Sequence, residues 1–102
     1  MIKIVIVTKP DCIACDIAKK VISEAILMID KDFTFVSITG DETLNENLKV
    51  DIYPTTIFYR ETKGIIEKAT HGSFREIARL TGSFPINYLV KIIDKLKFES
   101  DE

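Results

Sequence analysis

The chain has 102 residues, 46% of them hydrophobic and 29% charged, a length suited to one domain with one core, so a single unit over 1–102 is expected. Sixteen acidic against fourteen basic side chains give a formal charge of -2 with the Lys and Arg scattered, which argues against nucleic acid as a partner. No apolar run approaches membrane-spanning length, and the opening MIKIVIV is too short for a secretory core, so no membrane partner is expected and a reducing cytoplasm is the expected location.

Residues 2–7, IKIVIV, are β-branched and almost wholly apolar, the pattern of a strand buried on both faces. From Cys12 to about Ile29 apolar residues recur at helical spacing. Ile13, Ile17, Val21 and Ala25 form one row, and Ala14, Ala18, Ile22 and Ile26 a second beside it. These predict a long, heavily buried helix with Asp16, Lys19, Lys20, Ser23 and Glu24 on its other side.

Residues 32–38, DFTFVSI, predict a second strand. A short helix follows, with Asp41 as its cap and Leu44 and Leu48 as its apolar pair. PTTIFYR, 54–60, predicts the third strand, ETKG a turn, and IIEKAT, 65–70, its hairpin partner. The stretch 73–82 suits either a helical turn, through Phe74, Ile77 and Ala78, or a strand. The last helix takes Ser83 as cap, Pro85 in its first turn, and Leu89, Ile92, Ile93 and Leu96 as its stripe.

The order is β-α-β-α-β-β-α, an α/β architecture. A strand–helix–strand opening implies a parallel pair with a right-handed crossover, and the later hairpin adds antiparallel strands. The expected product is a small mixed sheet of about four strands with helices on both faces.

Both cysteines fall in KPDCIAC, residues 9–15, where the first strand gives way to the helix. A step of three residues in a helix leaves Cα atoms roughly 5 Å apart. A disulfide accepts about 4.4–6.8 Å, so Cys12 and Cys15 can form one or stand as two thiols. As a staple the pair would close too small a loop to stabilise the fold much. As a zinc site it lacks ligands, since His71 is the only histidine, although two subunits could share a metal. The third reading is thiol–disulfide chemistry, the common use of a C-x-x-C pair in a reducing compartment. In it Cys12, at the mouth of the helix, attacks a target disulfide and Cys15, one turn inside, resolves the mixed disulfide. Helix amides and Lys9 favour the Cys12 thiolate, whereas Asp11 and Asp16 oppose it.

The C-x-x-C pair after a buried strand, followed by VDIYPTTIF about forty residues later, resembles the thioredoxin/glutaredoxin family. The resemblance covers residues 2 to about 72 well and the final helix loosely. It implies a thioredoxin-like fold and thiol–disulfide oxidoreductase activity. It also implies a cis bond before Pro54, beside the cysteines, with Tyr53, Pro54 and Thr55 bordering an extended substrate segment. Lys9 and Pro10 match glutaredoxins, where the lysine meets a glutathione carboxylate, and Gly72 with Ser73 partly matches their Gly-Gly. Thioredoxins usually have Trp-Cys-Gly-Pro-Cys and a buried Asp six residues earlier. Here Asp11, Ile13, Ala14 and Ile6 hold the corresponding positions, so Asp11, Ile13 and Ala14 complete the expected substrate-facing loop.

No tightly bound cofactor is expected, with glutathione a candidate co-substrate. Expected partners are disulfide-bearing proteins and, as reductant, glutathione or a thioredoxin-reductase-type flavoprotein, acting on a monomer. A redox-inactive adaptor that keeps the fold is the alternative from a different class, beside the shared metal site. His71 is expected in a surface loop, and the tail FESDE as a frayed end.

Overall fold

A computed structural model describes residues 2–28, 33–61 and 74–98. In chain order the elements are β1 (Ile2–Thr8), α1 (Ile13–Met28), β2 (Phe33–Thr39), α2 (Glu42–Leu48), β3 (Thr55–Glu61), β4 (Phe74–Thr81) and α3 (Ile86–Phe98). The strands form one sheet in the order β2-β1-β3-β4. β1 is parallel to β2 and antiparallel to β3, and β3 is antiparallel to β4.

β1 is interior and its side chains alternate between two cores. Ile2, Ile4 and Ile6 face Ala18, Ile22 and Ala25 of α1 and Leu89, Ile93 and Leu96 of α3, with Phe58 and Phe84 filling between them. Val7 points the other way, into a smaller cluster with Val50 and Ile57, against which Ile38, Leu48, Tyr53 and Tyr59 pack. A strand covered on both sides needs apolar residues at every position, which is why IKIVIV shows no alternation. Phe58 is the largest fully buried side chain, and its truncation to alanine would remove about 3–5 kcal/mol.

The helix seam of α1 differs from the expected stripe. Its buried residues are Cys15, Ala18, Ile22 and Ala25. At about 100° per residue, Ile13 and Ile17 lie roughly 160° and 120° from the centre of that seam. They project to solvent, Ile13 being 78% exposed. Only part of the predicted apolar surface is therefore buried.

The second correction concerns the strand after β3. The expected partner at 65–70 lies outside the described residues, and β3 pairs with 74–81. The stretch with two readings is a strand with a bulge. Phe58 opposes Ala78 and Tyr59 opposes Glu76, so Ile77 is an extra residue on β4. The inserted residue leaves Ile77 and Leu80, both packed on the larger core, three positions apart, a spacing that mimics a helical turn.

Asp41 caps α2 as expected, its carboxylate accepting from the Leu44 amide at 2.8 Å. α3 starts later than predicted. The Pro85 carbonyl accepts from the Tyr88 and Leu89 amides, which puts the cap position at Pro85 and leaves Ser83 outside the helix. No helix among the described residues is long and apolar enough to cross a membrane.

Candidate active site

The register pairs Val7 with Thr55. The chain therefore leaves β1 toward the cysteines at the same end of the sheet where it enters β3 from Pro54. Lys9, Pro10 and Asp11 form an exposed turn, and Asp11 adopts φ 56, in the left-handed region. That turn reverses the chain so that Cys12 becomes the cap of α1, its carbonyl accepting from the Asp16 amide at 3.2 Å.

The two sulfurs are joined in a Cys12–Cys15 disulfide, with the Cα atoms 5.2 Å apart. The Cys15 amide donates to Cys12 Sγ at 3.1 Å. This is the side-chain-to-backbone contact of a helix cap with sulfur in place of oxygen, and the amide is one of those the first turn leaves without a helical partner. Burial divides the pair. Cys15 is 1% exposed and embedded in the α1 seam, while Cys12 is half-buried and reachable. Between them Ile13 is exposed and Ala14 half-buried.

Across the site, the Tyr53–Pro54 bond is cis. Pro54 is buried and its carbonyl accepts from the Gly82 amide at 2.8 Å. Thr55 is also buried, and its hydroxyl donates to the Ile52 carbonyl at 2.6 Å, closing the loop on itself. Ile52 stands 53% exposed at the rim. The half-buried Tyr53 joins three elements: its hydroxyl is bonded to the Asn45 side chain of α2, and Lys9 Nζ lies 5.7 Å from its ring centroid. Lys9 thus bridges the cysteine turn and the proline loop.

Of the residues singled out in the sequence, Lys9, Pro10, Asp11, Cys12, Ile13, Ala14 and Cys15 lie on one continuous turn and helix start. Tyr53, Pro54 and Thr55 lie at the facing strand entry. Gly72 and His71 fall outside the described residues. The glycine found against Pro54 is Gly82, which sits at φ 77 just after β4. Nothing in the sequence singled out Gly82. Asn45 and Gly40 carried no recognisable signal. Gly40 lies under Tyr53, where an added Cβ would meet the phenolic oxygen at 2.6 Å and a ring carbon at 2.7 Å. Among the described residues no group of three or more His, Cys, Asp or Glu side chains is arranged to hold a metal.

No family model matches the chain, and no curated protein sequence matches it. Solved structures do. Thioredoxin-2 of a malaria parasite, described as a component of its protein secretion machinery, superposes with a TM-score of 0.71 at 16% identity, over 93% of this chain and 82% of that one. The germline-specific thioredoxin Deadhead of Drosophila melanogaster gives 0.68 at 19% identity, over 93% and 80%. Thioredoxin O2 of Arabidopsis thaliana in its oxidised state gives 0.68 at 19%, over 94% and 75%. At these identities the likeness is one of fold. The chain has the thioredoxin fold, a mixed four-stranded sheet with three helices.

Proposed function

We propose that this chain is a thiol–disulfide oxidoreductase that reduces disulfides in protein substrates through Cys12 and Cys15. The observation that carries the reading is the capping contact between the Cys15 amide and the sulfur of the more accessible cysteine. In the reduced protein that amide stabilises negative charge on Cys12. The helix end contributes about 0.3–1 kcal/mol in the same direction, and the direct N–H contact adds to it.

Cys12 thiolate attacks one sulfur of the target disulfide. The target's S–S bond breaks, a Cys12–target bond forms, and the leaving thiolate takes a proton from solvent. Cys15, after losing its proton, attacks Cys12 Sγ and expels the second target thiolate. The target gains two electrons and two protons, and the chain is left with the Cys12–Cys15 disulfide. The burial of Cys15 supports its role as resolver, since a foreign disulfide reaches Cys12 first. Tyr53 stands just before β3, where its backbone is suited to pairing with an extended stretch of substrate.

The exposed Ile13, between the cysteines, and Ile52, in the loop before Pro54, favour protein substrates over a small charged thiol. Lys9 is the residue through which glutathione would be recognised if it serves as reductant. A flavoprotein reductase of the thioredoxin-reductase type is the other source of electrons.

The test is insulin-disulfide reduction together with equilibration of the cysteine pair against glutathione. Wild-type protein is expected to reduce insulin, Cys12→Ser to be inactive, and Cys15→Ser to accumulate a mixed disulfide through Cys12. A pair that neither equilibrates with glutathione nor reduces insulin, with partner binding untouched by Cys12→Ser, would overturn the assignment in favour of an adaptor.

A further inference from the structure

The two edges of the sheet are built differently. β4, at one edge, carries Arg75, Glu76 and Arg79 and is interrupted by the bulge at Ile77. Charges and bulges are the devices that keep an edge strand from pairing with another chain. β2, at the other edge, has none of them. Its seven residues, FTFVSIT, contain no charge, proline or glycine, and its register with β1 is unbroken from Phe33 to Thr39.

The direction of its backbone groups follows from one bond. Gly40 N–H donates to the Thr8 carbonyl, while Thr8 lies opposite Thr39. In a parallel pair the residues facing the neighbour alternate, so the even-numbered residues of β2 bond to β1. Phe33, Phe35, Ser37 and Thr39 therefore turn their amides and carbonyls outward, and no described strand lies beyond them.

We propose that β2 is a dimerisation edge, at which two copies of this chain pair antiparallel about a two-fold axis through Val36. In that register Phe33 lies opposite the second copy's Thr39, and Phe35 opposite its Ser37. All four outward residues meet outward residues, and each facing pair exchanges both hydrogen bonds. Shifting the axis to Phe35 leaves Thr39 without a partner, and shifting it to Ser37 leaves Phe33 without one. The side chains fit the same register. Each half-buried phenylalanine faces a small exposed hydroxyl residue, and Val36 meets Val36 on the axis. A second copy is the favoured occupant because this strand is its own complement: it is neutral, so no like charges meet, and large residues face small ones without any change of sequence. The product is a continuous eight-stranded sheet, with the cysteine turns left open. This departs from the monomer expected from sequence and is independent of the thiol chemistry.

Sedimentation equilibrium of the full chain, from low to high micromolar concentration, tests it. The expected mass is twice 11.6 kDa. Ser37→Pro removes an outward donor without touching the β1 ladder, and Ser37→Lys places a charge on an exposed edge position; both are expected to give monomers with unchanged circular dichroism. In a Cys12→Ser, Cys15→Ser background, Val36→Cys is expected to form an intermolecular disulfide, because opposed residues of a non-hydrogen-bonded pair lie about 4.5 Å apart at Cα. Thr39→Cys, which faces Phe33, is not. A wild-type monomer throughout the range, a dimer that survives both Ser37 variants, or cross-linking through Thr39→Cys in place of Val36→Cys would each overturn the proposal.

Discussion

Glu76 and Arg79 sit three residues apart on one strand, yet their side chains meet in a two-pronged pair, both N···O distances being 2.8 Å. In a regular strand, residues an odd number apart point to opposite faces. The bulge at Ile77 inserts one residue between them and brings both to the same face. Arg79 also donates to the Lys49 carbonyl at 3.0 Å, so the bulge ties the sheet edge to the end of α2.

That pairing sets a pH dependence. The Arg79 hydrogen bonds hold the Glu76 carboxyl below the usual glutamate range, against a smaller opposing push from burial. A carboxyl with a depressed folded pKa stabilises the fold above its unfolded value, about 4.3, and loses that contribution as pH falls through the folded value. Both side chains are partly solvated, so the contribution is about 0.2–1 kcal/mol. Urea unfolding from pH 7 down to pH 3 is expected to show this loss in wild type, and a shallower pH slope in Glu76→Gln.

Lys49 adopts φ 57 immediately after α2. Its amide donates to the Glu46 carbonyl at 3.3 Å, and the Val50 amide to the Asn45 carbonyl at 2.9 Å, the two bonds of a Schellman ending. Glycine suits the left-handed position and lysine does not. Lys49→Gly is expected to stabilise the protein by about 0.5–1 kcal/mol, since the carbonyl that Arg79 binds is a backbone group and is retained. A thermal melt reads this as a midpoint raised by roughly 2–8 °C.

The disulfide turn yields a kinetic expectation. Asp11 holds a left-handed conformation one residue before Cys12, a role asparagine fills equally well. Asp11→Asn is therefore expected to keep the fold while removing a negative charge next to Cys12. An exposed neighbouring charge is worth about 1 kcal/mol or less, so the Cys12 thiol is expected to become slightly more acidic. Thiolate absorbance against pH, with the rate of insulin reduction at neutral pH, measures both effects. A thiol pKa that rises would show that Asp11 acts through turn geometry.

Element order and the two ends of the site were legible because their signals are local. A two-faced apolar strand, a C-x-x-C at a helix start, and Tyr-Pro-Thr before a third strand each need only a few adjacent residues. Where long-range placement decides, the pattern misled. Ile13 and Ile17 fit an apolar row, but burial follows the seam that faces the sheet, and they lie away from it. The bulge at Ile77 disguised β4, because one inserted residue changes a period of two into an apparent three. The bond from Gly82 to Pro54 joins residues 28 positions apart, and the clasp on Tyr53 comes from Asn45 and Gly40 on another element. Neither has a sequence signature.

That clasp supplies the last expectation. Tyr53 precedes the cis-proline, its hydroxyl is bonded to Asn45, and its ring lies directly over Gly40. A methyl group at Gly40 would come within 2.6 Å of the phenolic oxygen and 2.7 Å of the Asn45 side-chain oxygen, closer than real contacts allow. The tyrosine ring must then swing away, breaking the Asn45 bond and uncovering the small core at Val50 and Ile57. Gly40→Ala is expected to lose about 1–3 kcal/mol of stability. Tyr53→Phe keeps the ring in place and gives up only the hydroxyl bond, so it is expected to lose less. If the Tyr53 backbone pairs with substrate, Gly40→Ala raises KM for insulin by more than Tyr53→Phe does, because only the former displaces the main chain beside Pro54. Equal KM values in the two variants, with Gly40→Ala the less stable, would confine the clasp to holding the fold together.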